Sequence, residues 1–192
     1  MANSALLVMD VQRDIVDIAD DGSGYLPCLR KAIDGARAAG IPVIYVVIGL
    51  RPGHPDVSTR NRVLTTAVQA RLFTEGAPGT EIHHDVAPQQ DDIVVTKRRG
   101  SAFSGSDLDL VLRARDIDSL VLTGIATSGV VLSTLCRAID LDIGLTVLVD
   151  ACLDTDPEVH RVLTEKLFPQ WADVVSVEDW LNAISRGSAA KQ

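Results

Sequence analysis

The chain has 192 residues, 46% of them hydrophobic, and its 18 Lys and Arg against 26 Asp and Glu leave a net charge of −8. That length suits a single domain with one core, which needs no metal or disulfide staple. The acidic balance argues against nucleic acid and anionic membrane as main partners, because both require clustered cations.

The Met-Ala-Asn-Ser start lacks the basic region of a secretory signal and runs straight into the apolar segment Ala5 to Met9, the first predicted strand. Leu29, Ala32, Ile33 and Ala36 then recur on one helical face, with Pro27 suited to a first turn and Gly40 to a stop. Further strands are expected at Pro42 to Ile48, Asp92 to Thr96, Ser119 to Thr123, Leu145 to Val149 and Asp173 to Ser176. Most are continuous Val, Ile and Leu runs, the pattern of strands covered on both faces of a parallel sheet. Between Gly49 and Pro88 the pattern weakens into a loop and a partly helical excursion from Asn61 to Phe73, the kind of insertion that lines a site. Ser106 to Asp109 reads as a capped start for a helix through Leu108, Val111 and Leu112. Asp156-Pro157 starts another, with Val159, Val162, Leu163 and Leu167 on its face, and Glu178 to Ile184 forms the last. Strands alternating with helices predict an α/β fold, a three-layer α/β/α arrangement with a mainly parallel six-stranded sheet, as one domain over residues 1–192 with a frayed tail at 185–192. No run reaches the about 18 apolar residues of a membrane helix.

In such a sheet the ligand lies beyond the carboxyl ends of the strands. The first strand ends at Asp10, the third at Lys97, and the fourth runs through Thr123 into Gly124-Ile125-Ala126-Thr127-Ser128-Gly129-Val130, a turn entering an apolar helix whose amides suit an oxyanion. Taken singly, Asp10 reads as a turn residue, and Lys97 with Arg98 and Arg99 as a solvated face. Together they predict an acid-base pair in one cleft, with Asp10, Lys97 and the backbone near Val130 brought together by adjacent strands. A cation so close is expected to depress the Asp10 pKa.

His83 and His84, taken as strand neighbours, would face opposite ways, while His54 and His160 are lone, so no metal site is expected. No cofactor fingerprint appears. Cys28, Cys136 and Cys152 cannot all pair, which fits a reducing cytoplasm.

The segments Leu6 to Gln12, Val94 to Lys97, Thr123 to Thr127 and Val149 to Ala151 together resemble the isochorismatase-like hydrolase superfamily, over about residues 4 to 180. The resemblance implies a Rossmann-like sheet, a homo-oligomer, a small-molecule substrate and a cis Ile125-Ala126 bond. Its cysteine hydrolases use an Asp, a Lys and a Cys on small amides. Asp10 and Lys97 match the first two, whereas Val130 stands where the Cys belongs. Cys136 lies six residues on, about 9 Å along a helix, and Cys152 follows another strand, so both are read as buried hydrophobes. Cys28, near a helix start, is expected to carry a lowered pKa. The true isochorismatases also lack the Cys and cleave a vinyl ether by protonating it. The resemblance therefore implies Asp10 as acid, or as a base for water, and Lys97 as a holder of the substrate carboxylate or a tuner of Asp10. Gln12, Ile125, Ala126, Ser128, Gly129 and Val130 would form the substrate and oxyanion pocket. The zinc-bearing branch's D-x-H is replaced by Gly49-Leu50-Arg51, so no zinc is implied, and Arg51 offers a carboxylate fork or a plain surface arginine. The alternatives are an amidase recruiting Ser128 or water, and a catalytically silent paralogue that binds a small carboxylate or serves as an oligomerising partner. Phe73, Phe168 and Trp171 are candidates to cover a second copy.

Overall fold

The computed structural model describes residues 3–19, 22 and 24–189. Six parallel strands form one sheet: β1 (Ser4–Met9), β2 (Val43–Ile48), β3 (Ile93–Lys97), β4 (Ser119–Ile125), β5 (Gly144–Leu153) and β6 (Asp173–Val175), in the spatial order β3-β2-β1-β4-β5-β6. The order reverses beside β1, so β1 and β4 open a crevice at their carboxyl ends.

Alternation along β1 divides the core. Ala5, Leu7 and Met9 face α4 (Leu108–Ala114) and α5 (Leu132–Ile139), while Leu6 and Val8 face α2 (Tyr25–Ala38) and α7 (Val177–Ala189). Both faces are covered, which is why the strands read as continuous apolar runs. Leu29, Ala32, Ile33 and Ala36 of α2 are fully buried, as their spacing predicts. The last helix runs to Ala189, past the expected end at Ile184; residues 190–192 lie outside the described residues.

Two features shape the crevice. Gly124 has φ +140°, and a Cβ there would sit 2.2 Å from the Met9 carbonyl oxygen, so only glycine lets β4 pass this close to the end of β1. The Thr123 hydroxyl donates to Leu7 O (2.7 Å), a buried tie between the same strands. Between Leu122 and Gly124 the β4–β5 register shifts, pairing Gly124 with Cys152. The excursion after β2 contains α3 (Arg62–Gln69), capped by Asn61, whose side chain accepts from Leu64 N at 3.1 Å.

Some expectations fail. The short helix α1 (Arg13–Ala19) has no counterpart in the sequence reading. On α6 (Pro157–Val162), Val159 and Val162 are exposed, and the core contact is made by Leu163 and Phe168 just beyond it. Phe168 is fully buried and Phe73 half-buried, which leaves Trp171, at 44% exposure, as the aromatic of the three available to a partner. Among the described residues no helix is long and apolar enough to cross a membrane.

Candidate active site

Asp10 leaves β1 at φ +56°, a left-handed conformation that Asp tolerates better than most residues, and its amide donates to Val46 O of β2 (2.8 Å). This turns the carboxylate over the end of β2. Lys97 closes β3 and is paired in register with Ile48. Strands β1 and β3 are therefore not adjacent, as the sequence reading assumed, but lie two strand spacings apart, about 10 Å. The long lysine side chain spans β2 and brings Nζ to 2.9 Å from Asp10 Oδ2, also donating to Arg99 O (2.8 Å). Lys97 is 1% exposed, so it is a buried cation, not part of a solvated face. Arg98 and Arg99 are also half-buried, Arg98 on Gly49 O and Glu75, Arg99 on Arg98 O and Asp56 O.

Asp10 Oδ1 is buried and has no hydrogen-bond partner. Burial pushes the Asp10 carboxyl up from its ordinary value, against the opposing pull of Lys97. This corrects the expectation of a depressed pKa: with the carboxylate out of water, desolvation outweighs one cation.

A cavity of about 470 Å³ opens over the pair. Asp10 and Lys97 sit in it with Ile125, Ala126, Gly129, Val130, Gly100 and Ser133 on one side, and Ile15, Ile18, Asn61, Val63, Leu64 and Phe73 from α1 and the α3 excursion on the other. The insertion thus lines the site as expected. Val63 (75% exposed) and Ile18 (63%) stand at its apolar mouth. No cysteine is among its lining residues. The Ile125-Ala126 bond is cis.

Two expected pocket residues are elsewhere. Gln12 is buried but works as a latch: its side chain donates to Ile48 O (3.0 Å) and Thr80 O (2.9 Å) and accepts from Ile48 N (2.9 Å). Ser128 is exposed and does not line the cavity; its amide donates to Asp154 Oδ2 at 2.7 Å. The Gly129 amide donates to Ala126 O (3.1 Å), so neither amide is free for an oxyanion. Arg51 is held by Asp56 at 2.9 Å.

The cysteines also differ from expectation. Cys152 is buried, its thiol pushed up to about 12 by burial, but Cys136 is exposed, because α5 turns Leu135 and Ala138 inward instead. Cys28 is half-buried, and burial with the neighbouring Asp150 raises its thiol to about 11 rather than lowering it. His83 and His84 do not alternate as strand neighbours: they lie at the 3-10 turn His84–Val86, with rings stacked at 4.3 Å and ligand atoms, with those of Asp85, within 4.8 Å of one another.

Residues 4–179 match the isochorismatase domain. The chain belongs to the isochorismatase family. It is 32% identical to the ureidoacrylate amidohydrolase RutB of Agrobacterium fabrum (strain C58), in a match covering 97% of this chain and 92% of that protein. A cysteine hydrolase from Pseudomonas syringae pv. phaseolicola 1448A superposes with a TM-score of 0.88 at 25% identity, covering 96% of this chain and 93% of the other. The N-carbamoylsarcosine amidase of Thermoplasma acidophilum gives 0.75 at 27% identity, over 92% and 97%. This family member is a hydrolase, and its three-layer fold is that of its structural neighbours.

Three arginines lie beside this cavity, of which Arg99 belongs to the basic run after Lys97 while Arg60 and Arg62 had no signal in the sequence. Arg60, Arg62 and Arg99 border a second hollow that shares Asn61 and Val63 with the cavity over Asp10 and Lys97. None of them has a carboxylate partner among the described residues, in a chain of net charge −8.

Proposed function

We propose that this hydrolase acts without a covalent intermediate, with Asp10 as the proton donor and Lys97 as its partner, on a small carboxylate of the isochorismatase type, a vinyl ether. The observation that carries this reading is Asp10 Oδ1, buried and unpartnered in an apolar cavity that no thiol lines. A protonated carboxyl there has one oxygen held by Lys97 and the other free for substrate. Its raised pKa supports the acid role.

In the reaction, Asp10 gives its proton to the terminal vinyl carbon and the double-bond electrons form the new C–H bond. The oxocarbenium ion that results is attacked by water, whose proton returns to the Asp10 carboxylate. The hemiketal then collapses to a keto acid and an alcohol. Lys97 stabilises the carboxylate while the proton is away. Two of the three donors of its ammonium go to Asp10 and Arg99 O, which leaves one for a substrate carboxylate in the cavity it lines. Arg60 and Arg62 on the rim offer a further carboxylate fork. Val130, where a cysteine hydrolase of this family has its nucleophile, is the residue that redirects the chemistry.

The second reading is an amidase, favoured by the amide-cleaving activities of the relatives' names. With Ser128 outside the cavity, it would rely on water activated by Asp10. A panel of isochorismate, ureidoacrylate, N-carbamoyl amino acids and simple amides, run beside Asp10→Asn, separates the two. Turnover of isochorismate that falls by at least about 10² in the variant supports the first reading; faster turnover of an amide supports the second, and no turnover at all overturns both. Three free cysteines support a reducing, cytoplasmic setting, and the exposed Trp171, Ile18 and Val63 support a homo-oligomer. Sedimentation showing only a 20.5 kDa species at micromolar concentration would overturn the latter.

A further inference from the structure

The turn that carries Gly129 and Val130 into the catalytic cavity is held from behind by the connection between β5 and α6. Asp154, 8% exposed, accepts from Ser128 N through Oδ2 (2.7 Å) and from Asp156 N through Oδ1 (3.3 Å). Asp156 in turn caps α6, accepting from Glu158 N (2.9 Å) and Val159 N (3.3 Å). That helix carries His160, whose Nδ1 lies 2.8 Å from Oγ1 of Thr127, the fully buried first residue of the wide π turn Thr127–Val131. Burial pushes the half-buried imidazole below its ordinary pKa, against Asp154. The ring is therefore neutral near pH 7, and its Nδ1 shares one hydrogen bond with the Thr127 hydroxyl, in a direction set by the tautomer. Nε2, across the ring from Thr127, has no protein partner among the described residues. A second cavity of about 430 Å³ lies against His160, Asp154 and Thr155, and shares Ile18, Ala19 and Thr155 with the catalytic one.

We propose that His160 is a positioning residue for the reaction: through Thr127, and together with Asp154, it fixes the turn that sets the catalytic wall opposite Asp10. The inference rests on the reading of Asp10 as the reacting group. Without His160 the buried Thr127 hydroxyl loses its side-chain partner, and the first half of the turn keeps the Asp154 contact at Ser128 N while Ser133 Oγ still holds Gly129 O and Val130 O. The wall then samples positions displaced from Asp10, which lowers the fraction of bound substrate in reacting geometry more than it lowers binding.

The test uses the full-length protein and two readouts, backbone amide exchange of residues 127–131 without substrate and steady-state kinetics on the panel compound turned over fastest. His160→Ala and Thr127→Val are each expected to speed exchange of these amides by about tenfold and to lower kcat by about tenfold, with KM changed less than about threefold. His160→Asn, which keeps an acceptor near Nδ1, and Thr127→Ser, which keeps the hydroxyl, are expected to stay within about threefold of wild type in both. A His160→Ala protein within twofold of wild type in exchange or in kcat overturns the proposal. So does a Thr127→Ser that behaves like Thr127→Val, or a kcat loss that follows a fall in Tm without faster local exchange. If Asp10→Asn retains full turnover, the reading of Asp10 fails, while the exchange result stands apart from it.

Discussion

Replacing Lys97 with Met keeps much of the side-chain volume and removes the charge, which isolates what the buried pair contributes. At 2.9 Å, and with an effective dielectric of 20, the attraction lost is about 6 kcal/mol. The loss in stability is smaller, because Asp10 can take up a proton instead of remaining as a buried, unpaired anion. Protonating a carboxyl whose unfolded pKa is about 3.9 costs about 1.4 kcal/mol per pH unit above that value, or about 5 kcal/mol at pH 7.5 and about 1.5 kcal/mol at pH 5.0. These figures cap the charge-burial penalty. The sign follows from the raised folded pKa of Asp10, which lies higher still without Lys97. The folded variant binds the extra proton, so its stability is fully present below about pH 3.9 and is lost as pH rises toward the folded value. The wild type, whose own Asp10 pKa is raised, already bears part of this cost, so the penalty is at most about 5 kcal/mol at pH 7.5 and about 1.5 kcal/mol at pH 5.0. With m near 2 kcal/mol/M in urea, the midpoint should drop by up to about 2 M at pH 7.5 and by less than about 1 M at pH 5.0. Midpoint shifts that are equal at the two pH values, or larger at pH 5.0, would refute the reasoning.

Gln12→Leu should cost about 3 kcal/mol in urea unfolding, since Ile48 N, Ile48 O and Thr80 O all lose their partner; a loss under about 1 kcal/mol would mean water replaces the latch. Gly124→Ala forces a Cβ against Met9 O and should lower Tm by about 10 °C, read by thermal unfolding. With iodoacetamide at pH 8, peptide mapping should find Cys136 labelled first; a thiol at about 11 is only about 0.1% thiolate there, so Cys28 follows slowly and Cys152 last. Turnover should survive full labelling of Cys136; its loss with the fold intact would mean that a thiol acts after all.

The strands were legible because burial on both faces leaves a one-dimensional mark: Leu6, Leu7 and Val8 are apolar whichever way they point. Helix α1 is harder to read, since it is short and Val16 is the one residue of it that is buried, while Ile15, Ile18 and Ala19, which recur at helical spacing, line the cavity. Asp10 and Lys97 could be singled out as strand ends, but their contact depends on strand order, which places β2 between them and buries Lys97 beneath a run that reads as solvated. Gln12 illustrates the opposite error. The resemblance implies a place in the pocket, yet the amide turns aside to join β2 to the turn at Thr80. His160 could be assigned to a capped helix from Asp156-Pro157, but only the tertiary approach of α6 to the π turn brings its ring to Thr127. The histidine pair was misjudged because a strand was assumed where the backbone makes a 3-10 turn.

The pH dependence of kcat, measured for the wild type and Asp10→Asn on the panel compound turned over fastest, tests the role of Asp10 most directly. As a proton donor Asp10 must be protonated, so kcat should hold at low pH and fall about tenfold per unit once pH exceeds the raised pKa. The variant should lack that limb along with most of the activity. A kcat that rises with pH through the same range, or an Asp10→Asn protein that keeps the wild-type rate and profile, would contradict the account.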